Sequence, residues 1–260
     1  MKFVILTDIH LGPEGYWNGV LRKVNKEAKL YLSNFVEEMN NKVKPEFVVI
    51  LGDLIEDNGI KNDQENIAYV VSLLSKLNCT VYYVAGNHDL HNLSEDELAR
   101  IFRQDKLYYS FDHNNIHFIV LFSRVIREEI SEIDEQQLEW LEEDLEQTNQ
   151  KAILFVHHGL ADQNLKGNPW FEKRPDYALI ENRNKVRSII ESSNKVLAVF
   201  NSHIHWNNKD IHNSIPYYTI QSLTENEDDK GIASEAYAIV DILGSKVSVK
   251  IEGKYSKELK

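Results

Sequence analysis

The chain has 260 residues, 42% hydrophobic and 27% charged, which is enough apolar mass for one large α/β domain with a well-solvated surface. A net charge of −12, with basic residues gathered only in short runs such as "RNKVR" at 183–187, argues against a nucleic-acid partner. The single cysteine, Cys79, allows no intramolecular disulfide, no run approaches the ~20 apolar residues of a membrane span, and "MKFVILTDIH" lacks the apolar length and cleavage site of a signal peptide, so no membrane association and a cytoplasmic location are expected.

The first strand-like run is "FVIL" (3–6), and "TDIH" follows it with Asp8 and His10. Over 20–40, Leu21, Val24, Ala28, Tyr31, Leu32, Phe35 and Met39 recur three and four apart, which predicts a helix. "FVVIL" (47–51) predicts a second strand, followed by "GD" and Asp53. Ile67, Val70, Val71, Leu74 and Leu77 predict a helix over 65–77. "TVYYVA" (80–85) leads into "GNHD", which carries Asn87, His88 and Asp89. "HFIVLF" (117–122) is a further strand run. In "DEQQLEWLEEDLEQT" (134–148), Leu138, Leu141 and Leu145 share a stripe behind Asp134 as N-cap, with Gln137 at the capping-box position. "AILFV" (152–156) leads into "HHG" with His157 and His158, a helix is expected over 181–192, and "VLAVF" (196–200) leads into "NSHIH" with His203 and His205. Beyond 205, "PYYTIQSL", "EAYAIVDI" and "KVSVKIEG" predict a β meander, with "LGSK" (243–246) as a hairpin turn.

The strand runs are apolar without alternation, the pattern of strands buried on both faces. Five of them deliver ligand-type residues at their C-terminal ends, the edge where open α/β sheets bind ligands. Each pair alone is an ordinary loop or turn pattern, and the reading rests on the series. Mixed oxygen and nitrogen donors suit divalent Mn, Fe or Zn and make a poor structural Zn site. Seven or more donors exceed one ion and suit two, with a carboxylate shared between them. Two such ions ~4 Å apart clamp the attacking and leaving oxygens of an in-line displacement at phosphorus.

The series "DIH … GD … GNHD … HH … HxH" resembles the calcineurin-like metallophosphoesterase family. The resemblance implies an α/β fold, a two-sheet β-sandwich flanked by helices in four αββα layers, here one domain over 1–260. It implies two divalent metal ions. Asp8, His10 and His205 would hold one, Asn87, His157 and His203 the other, and Asp53 would bridge them. His157 is chosen over His158 because it directly follows the strand and matches the first histidine of the family's pair. His88 would be the general acid, oriented by an acidic residue just after the bridging aspartate, where Glu56 and Asp57 both stand. Ser202 occupies a position where the family has glycine; it leaves the donor count unchanged, so Ser202→Gly is expected to keep both metals and activity.

The implied activity is hydrolysis of a small phosphodiester, a cyclic nucleotide or nucleoside diphosphate derivative, by in-line attack of a metal-activated hydroxide. A phosphomonoesterase is the alternative. The charge disfavours a nuclease, and the full donor set disfavours a non-catalytic scaffold. Residues 160–179, with Trp170, Phe171, Lys173, Arg174 and Tyr177, are a candidate cap for a small phosphorylated substrate, bordered by "GPEGYWNG" (12–19) with Tyr16 and Trp17.

Overall fold

The computed structural model describes residues 1–259. Strand β1 (Lys2–Leu6) precedes a small hairpin, β2 (Gly15–Trp17) and β3 (Val20–Lys23), then helix α1 (Ala28–Glu38), β4 (Phe47–Leu51), α2 (Ile60–Leu74), β5 (Thr80–Val84) and α3 (Glu95–Phe102). The middle of the chain adds β6 (Tyr109–His113), β7 (Ile116–Val120), a second small hairpin of β8 (Arg124–Arg127) and β9 (Ile130–Glu132), α4 (Glu135–Gln147) and β10 (Lys151–Phe155). The remainder holds α5 (Pro175–Ala178), α6 (Arg183–Ser193), β11 (Val196–Asn201), β12 (Asn208–His212), β13 (Ile215–Thr219), β14 (Tyr237–Leu243), β15 (Lys246–Glu252) and β16 (Lys257–Glu258).

Two six-stranded sheets stack face to face, in the orders β16-β15-β14-β1-β4-β5 and β12-β13-β11-β10-β7-β6. Side-chain alternation along each strand builds the layers. From β1, Phe3 and Ile5 point into the inter-sheet core with Phe118, Phe155 and Phe200, while Val4 and Leu6 point outward to Leu32 and Phe35 of α1 and Ile67 and Val70 of α2. On the far side Ile119, Leu154 and Val199 meet Leu138 and Leu141 of α4 and Val186 of α6. The expected αββα sandwich is therefore the fold, and both-face burial explains the unbroken apolar runs.

Three local expectations are corrected. Residues 20–23 form a strand, because Asn18 and Gly19 both adopt positive φ, 50° and 79°, and turn β2 back into β3. That is the Asn-Gly hairpin signal, which the three-and-four spacing of downstream residues had masked. Helix α2 begins at Ile60, earlier than expected, and ends at Leu74. The last strands are no single meander. β13 pairs parallel with β11 in the second sheet, while β14 and β15 form an antiparallel pair in the first. The turn at 243–246 is present, with Leu243 opposite Lys246. At α4, Asp134 caps Gln137 N at 2.8 Å. The Gln137 side chain does not return to the cap; its amide makes a pair of hydrogen bonds with the backbone of Phe122, at 2.8 and 2.9 Å.

His117, at the rim of the second sheet, is held between Asp112 (2.7 Å) and Asp144 (2.8 Å). Burial acts to lower its pKa, but the two carboxylates outweigh that and raise it above the usual 6.5. The clamp therefore stabilises fully below the unfolded-state value and fades as pH rises through the raised folded-state value. Urea unfolding of His117→Gln is expected to show a deficit of about 1 kcal/mol at about pH 6 that shrinks by about pH 9. A deficit that grows with pH would contradict the clamp.

Candidate metal centre

The C-terminal ends of β1, β4, β5, β10 and β11 meet at one edge of the sandwich. The connections are tight. Asp8 N bonds to Gly52 O, and His10 N to Asp53 O, both at 3.0 Å. Asp89, fully buried, ties the β4 and β5 loops by accepting from Leu54 N (2.7 Å), Ile55 N (3.3 Å) and Gly86 N (2.9 Å). Glycine at 86 is a matter of space, and at 52 of both space and a φ of 97°. A Cβ on Gly52 would lie 2.3 Å from His157 Nδ1, and one on Gly86 2.2 Å from Asp53 Oδ1.

Asp8, His10, Asp53, His203 and His205 all take positive φ, between 47° and 66°. Non-glycine residues in that region cost about 1–3 kcal/mol each and gather at functional sites. The strain here aims five polar side chains inward from the loops.

Two groups of donors result, Asp8–His10–His205 and Asp53–His157–His203, each with its ligand atoms within 4.8 Å of one another. Asp53 Oδ2 joins them, 3.7 Å from His10 Nε2 and 3.3 Å from His157 Nε2. Its other oxygen accepts from the backbone N of His88 at 3.0 Å. Asn87, at the end of the same loop, lines the cavity beside Asp53 with its buried Oδ1 unpartnered. All seven residues read from the sequence are thus brought to one place. His158 is not in either group; its Nδ1 meets Ser123 Oγ at 2.7 Å.

The imidazoles are held from behind. Nδ1 of His10 lies 2.8 Å from Glu56 Oε2, and Nδ1 of His205 lies 2.8 Å from Glu225 Oε2. Nδ1 of His157 donates to Leu51 O at 2.9 Å, and Nε2 of His203 to Tyr177 O at 3.1 Å. The hydrogen bonds of His157, His203 and His205 fix their rings and leave the opposite nitrogen as a ligand, while His10 meets Glu56 as a close ionic contact. The result is two ring nitrogens, of His10 and His205, facing each other at 3.0 Å next to an unpartnered Asp8 Oδ1. That juxtaposition asks for a shared proton or a cation, and the donor set fits divalent ions of the Mn, Fe or Zn kind. Burial alone would lower the pKa of His157 and His205, yet the Asp53 and Asp8 carboxylates lift both to about 9. Burial and the charge of Lys23 press His10 down to about 4. A cation must displace the protons that balance Asp8 and Asp53, so affinity rises with pH.

Several members of the site escaped the sequence. Glu225 lies 20 positions beyond His205 and no spacing rule points to it; it also accepts from Trp170 Nε1 at 3.1 Å. Of the two candidate partners for His88, Asp57 is the one in contact, its Oδ1 2.6 Å from His88 Nδ1, whereas Glu56 turns to His10. Ser202 is fully buried and its hydroxyl donates to Leu51 O at 2.8 Å, 3.0 Å from His157 Nδ1. It needs no left-handed backbone, since the positive φ values fall on His203 and His205. The earlier expectation is therefore revised. Ser202→Gly is expected to weaken metal binding about tenfold, read by competition with a chelator. Unchanged affinity would show that the Leu51 carbonyl alone suffices.

The cavity in front of these residues has a volume of about 880 Å³. Trp170 lies edge-on to His205 with ring centres 6.0 Å apart, and Phe171 packs on His203 at 4.8 Å. Trp17 of the first hairpin meets Trp170 at 5.6 Å. Of the other expected cap residues, Tyr177 lines the cavity, while Lys173 and Arg174 are exposed outside it. No helix among the described residues is long and apolar enough to cross a membrane.

A family model described as calcineurin-like phosphoesterase matches residues 1–207. A protein of Arcobacter nitrofigilis named "Probable glycerophosphodiester phosphodiesterase GpdQ" is 31% identical over 170 residues, 61% of this chain; the match covers 57% of that relative's length. A 3',5'-cyclic-nucleotide phosphodiesterase of Nostoc is 25% identical over 205 residues, 77% of this chain and 70% of the relative. Among solved structures, a dimetal phosphatase from Danio rerio superposes with a TM-score of 0.79 at 17% identity over 99% of this chain and 98% of its own, a likeness of fold. With the family model matching residues 1–207 and two donor groups at the expected strand ends, the chain belongs to the calcineurin-like phosphoesterase family, whose cofactor is a pair of divalent metal ions.

Proposed function

We propose that the protein is a phosphodiesterase acting on small diesters, with Asp8, His10 and His205 holding one ion, Asn87, His157 and His203 the second, and Asp53 shared by both. The observation that carries this reading is the position of Asp53 Oδ2, facing both donor groups at the floor of the 880 Å³ cavity. When bound, the two ions supply an activated water and neutralise charge at phosphorus. His88 faces the same cavity and supplies the proton for the departing oxygen, with Asp57 fixing its ring through Nδ1. Trp170 and Phe171 wall the centre from bulk water on one side.

The charge of the cavity favours diesters. Its fixed cations are Lys23 and Arg124, and Arg124 is tied to Glu95 by two 2.7 Å bonds. Asp57, Glu128 and Glu129 also line it. Away from the ions, that wall offers the extra charge of a monoester no unpaired cation, since Lys23 is paired with Glu56 and Arg124 with Glu95. The activities for which the two relatives are named, on glycerophosphodiesters and on 3',5'-cyclic nucleotides, support the same class. The test is turnover of bis(p-nitrophenyl) phosphate against p-nitrophenyl phosphate by the Mn²⁺-loaded protein. Faster diester turnover is expected; turnover of the monoester alone would make the protein a phosphomonoesterase.

A further inference from the structure

Lys23 ends the β3 strand of the hairpin that borders the cavity, and it is only 6% exposed. A buried ammonium calls for partners. One is Glu56, 2.8 Å from its Nζ. The other is the face of Trp170, with the ring centre 5.3 Å away, and Nε2 of His88 lies 3.5 Å from the same Nζ. Each nitrogen has a carboxylate behind it, Glu56 behind Lys23 and Asp57 behind His88. Lys23 Nζ and His88 Nε2 thus stand side by side at the cavity wall, each with a carboxylate on its other side. Their separation fits a single acceptor, because one oxygen about 2.8 Å from each nitrogen spans a base of 3.5 Å without strain.

We propose that Lys23 is a catalytic residue that, together with His88, seats the leaving-group oxygen of the substrate. The inference rests on the phosphodiesterase reading and narrows it. As the P–O bond breaks, its electron pair stays on the leaving oxygen, which takes the proton from His88 Nε2. Lys23 keeps its own protons and hydrogen-bonds to the same oxygen while charge develops there. Preorganised donors of this kind matter in proportion to that charge. A phenolate bearing a nitro group or a departing phosphate gains little from them, and an alkoxide gains most. The structure therefore points to a diester of an unactivated alcohol, such as a sugar or polyol hydroxyl, in preference to a phosphoanhydride.

The test uses Lys23→Gln and Lys23→Arg with a series of methyl aryl phosphates whose leaving groups run from p-nitrophenolate through p-chlorophenolate to phenolate. Metal content per chain and chelator competition are measured on the same samples. Lys23→Gln is expected to keep two ions per chain. It is expected to lower kcat/KM less than about tenfold for p-nitrophenolate but about 10²-fold or more for phenolate, with partial recovery in Lys23→Arg. An equal loss across the series, or no loss, would overturn the assignment. Loss in step with metal content would overturn it too and make Lys23 a positioning residue that acts through Glu56 and His10. Absence of turnover by the wild-type, metal-loaded protein on every member would refute the phosphodiesterase reading itself and the Lys23 inference with it.

Discussion

Replacing Asp53 with Asn is expected to reduce kcat by about 10³-fold or more. The carboxylate is 1% exposed, and its Oδ2 faces both donor groups. An amide oxygen carries no full charge and cannot neutralise two cations at once. Losing one ion's Lewis-acid contribution, worth several kcal/mol at the transition state, corresponds to that factor. The substitution is nearly isosteric and keeps an acceptor for the His88 N–H, held at 3.0 Å in the native protein. It also removes the buried negative charge that faces His157 and His10, whose pull on Asp53 outweighs the repulsion from Asp8 and Asp89. The metal-stripped variant is therefore expected to unfold earlier than the metal-stripped native protein, and added Mn²⁺ is expected to raise its Tm less. Calorimetry with and without metal, run beside steady-state kinetics, checks both halves. A variant that binds two ions as tightly as native protein would show that Asp53 is not shared.

His88→Ala is expected to lower kcat by about 10²–10⁴-fold, the range of a general acid, without reducing metal content. His88 stands outside both donor groups that contain Asp53 or Asp8, although it approaches His10 and Glu56 closely enough to form a third cluster. That cluster makes the metal measurement decisive. If ions are lost in proportion to activity, His88 is a ligand and the acid lies elsewhere. Asp57→Asn, which leaves the ring in place without its charged partner 2.6 Å away, is expected to give a smaller loss of about tenfold. Because Asp57 is exposed on one side, that variant is expected to fold normally.

The strand ends were legible because burial on both faces writes an unbroken apolar run, and any polar residue that follows must leave the sheet at its rim. Asp8, Asp53, Asn87, His157 and His203 could be found that way without knowing which sheet each strand joins. The division of the last strands between two sheets could not be found so, since β13 and β14 carry similar patterns and only the long crossing over 220–236 separates them. Lys23 was hidden by a periodicity that truly belongs to α1 and extends by chance back over β3. Glu225 was hidden because a partner behind a histidine is set by three-dimensional approach and leaves no spacing. The choice between Glu56 and Asp57 rested on loop path: Glu56 N bonds to Leu11 O at 3.2 Å, which swings its side chain to His10 and leaves Asp57 for His88. Ser202 was read through the glycine it replaces, whereas its hydroxyl, not its backbone, is what the site uses.

Anomalous diffraction from crystals of the Mn²⁺-loaded protein tests the two-ion centre most directly. Two peaks about 4 Å apart are expected on either side of Asp53 Oδ2, one against Asp8, His10 and His205 and the other against Asn87, His157 and His203. A single peak at full loading, or two peaks that leave Asp53 bound to only one of them, would contradict the account.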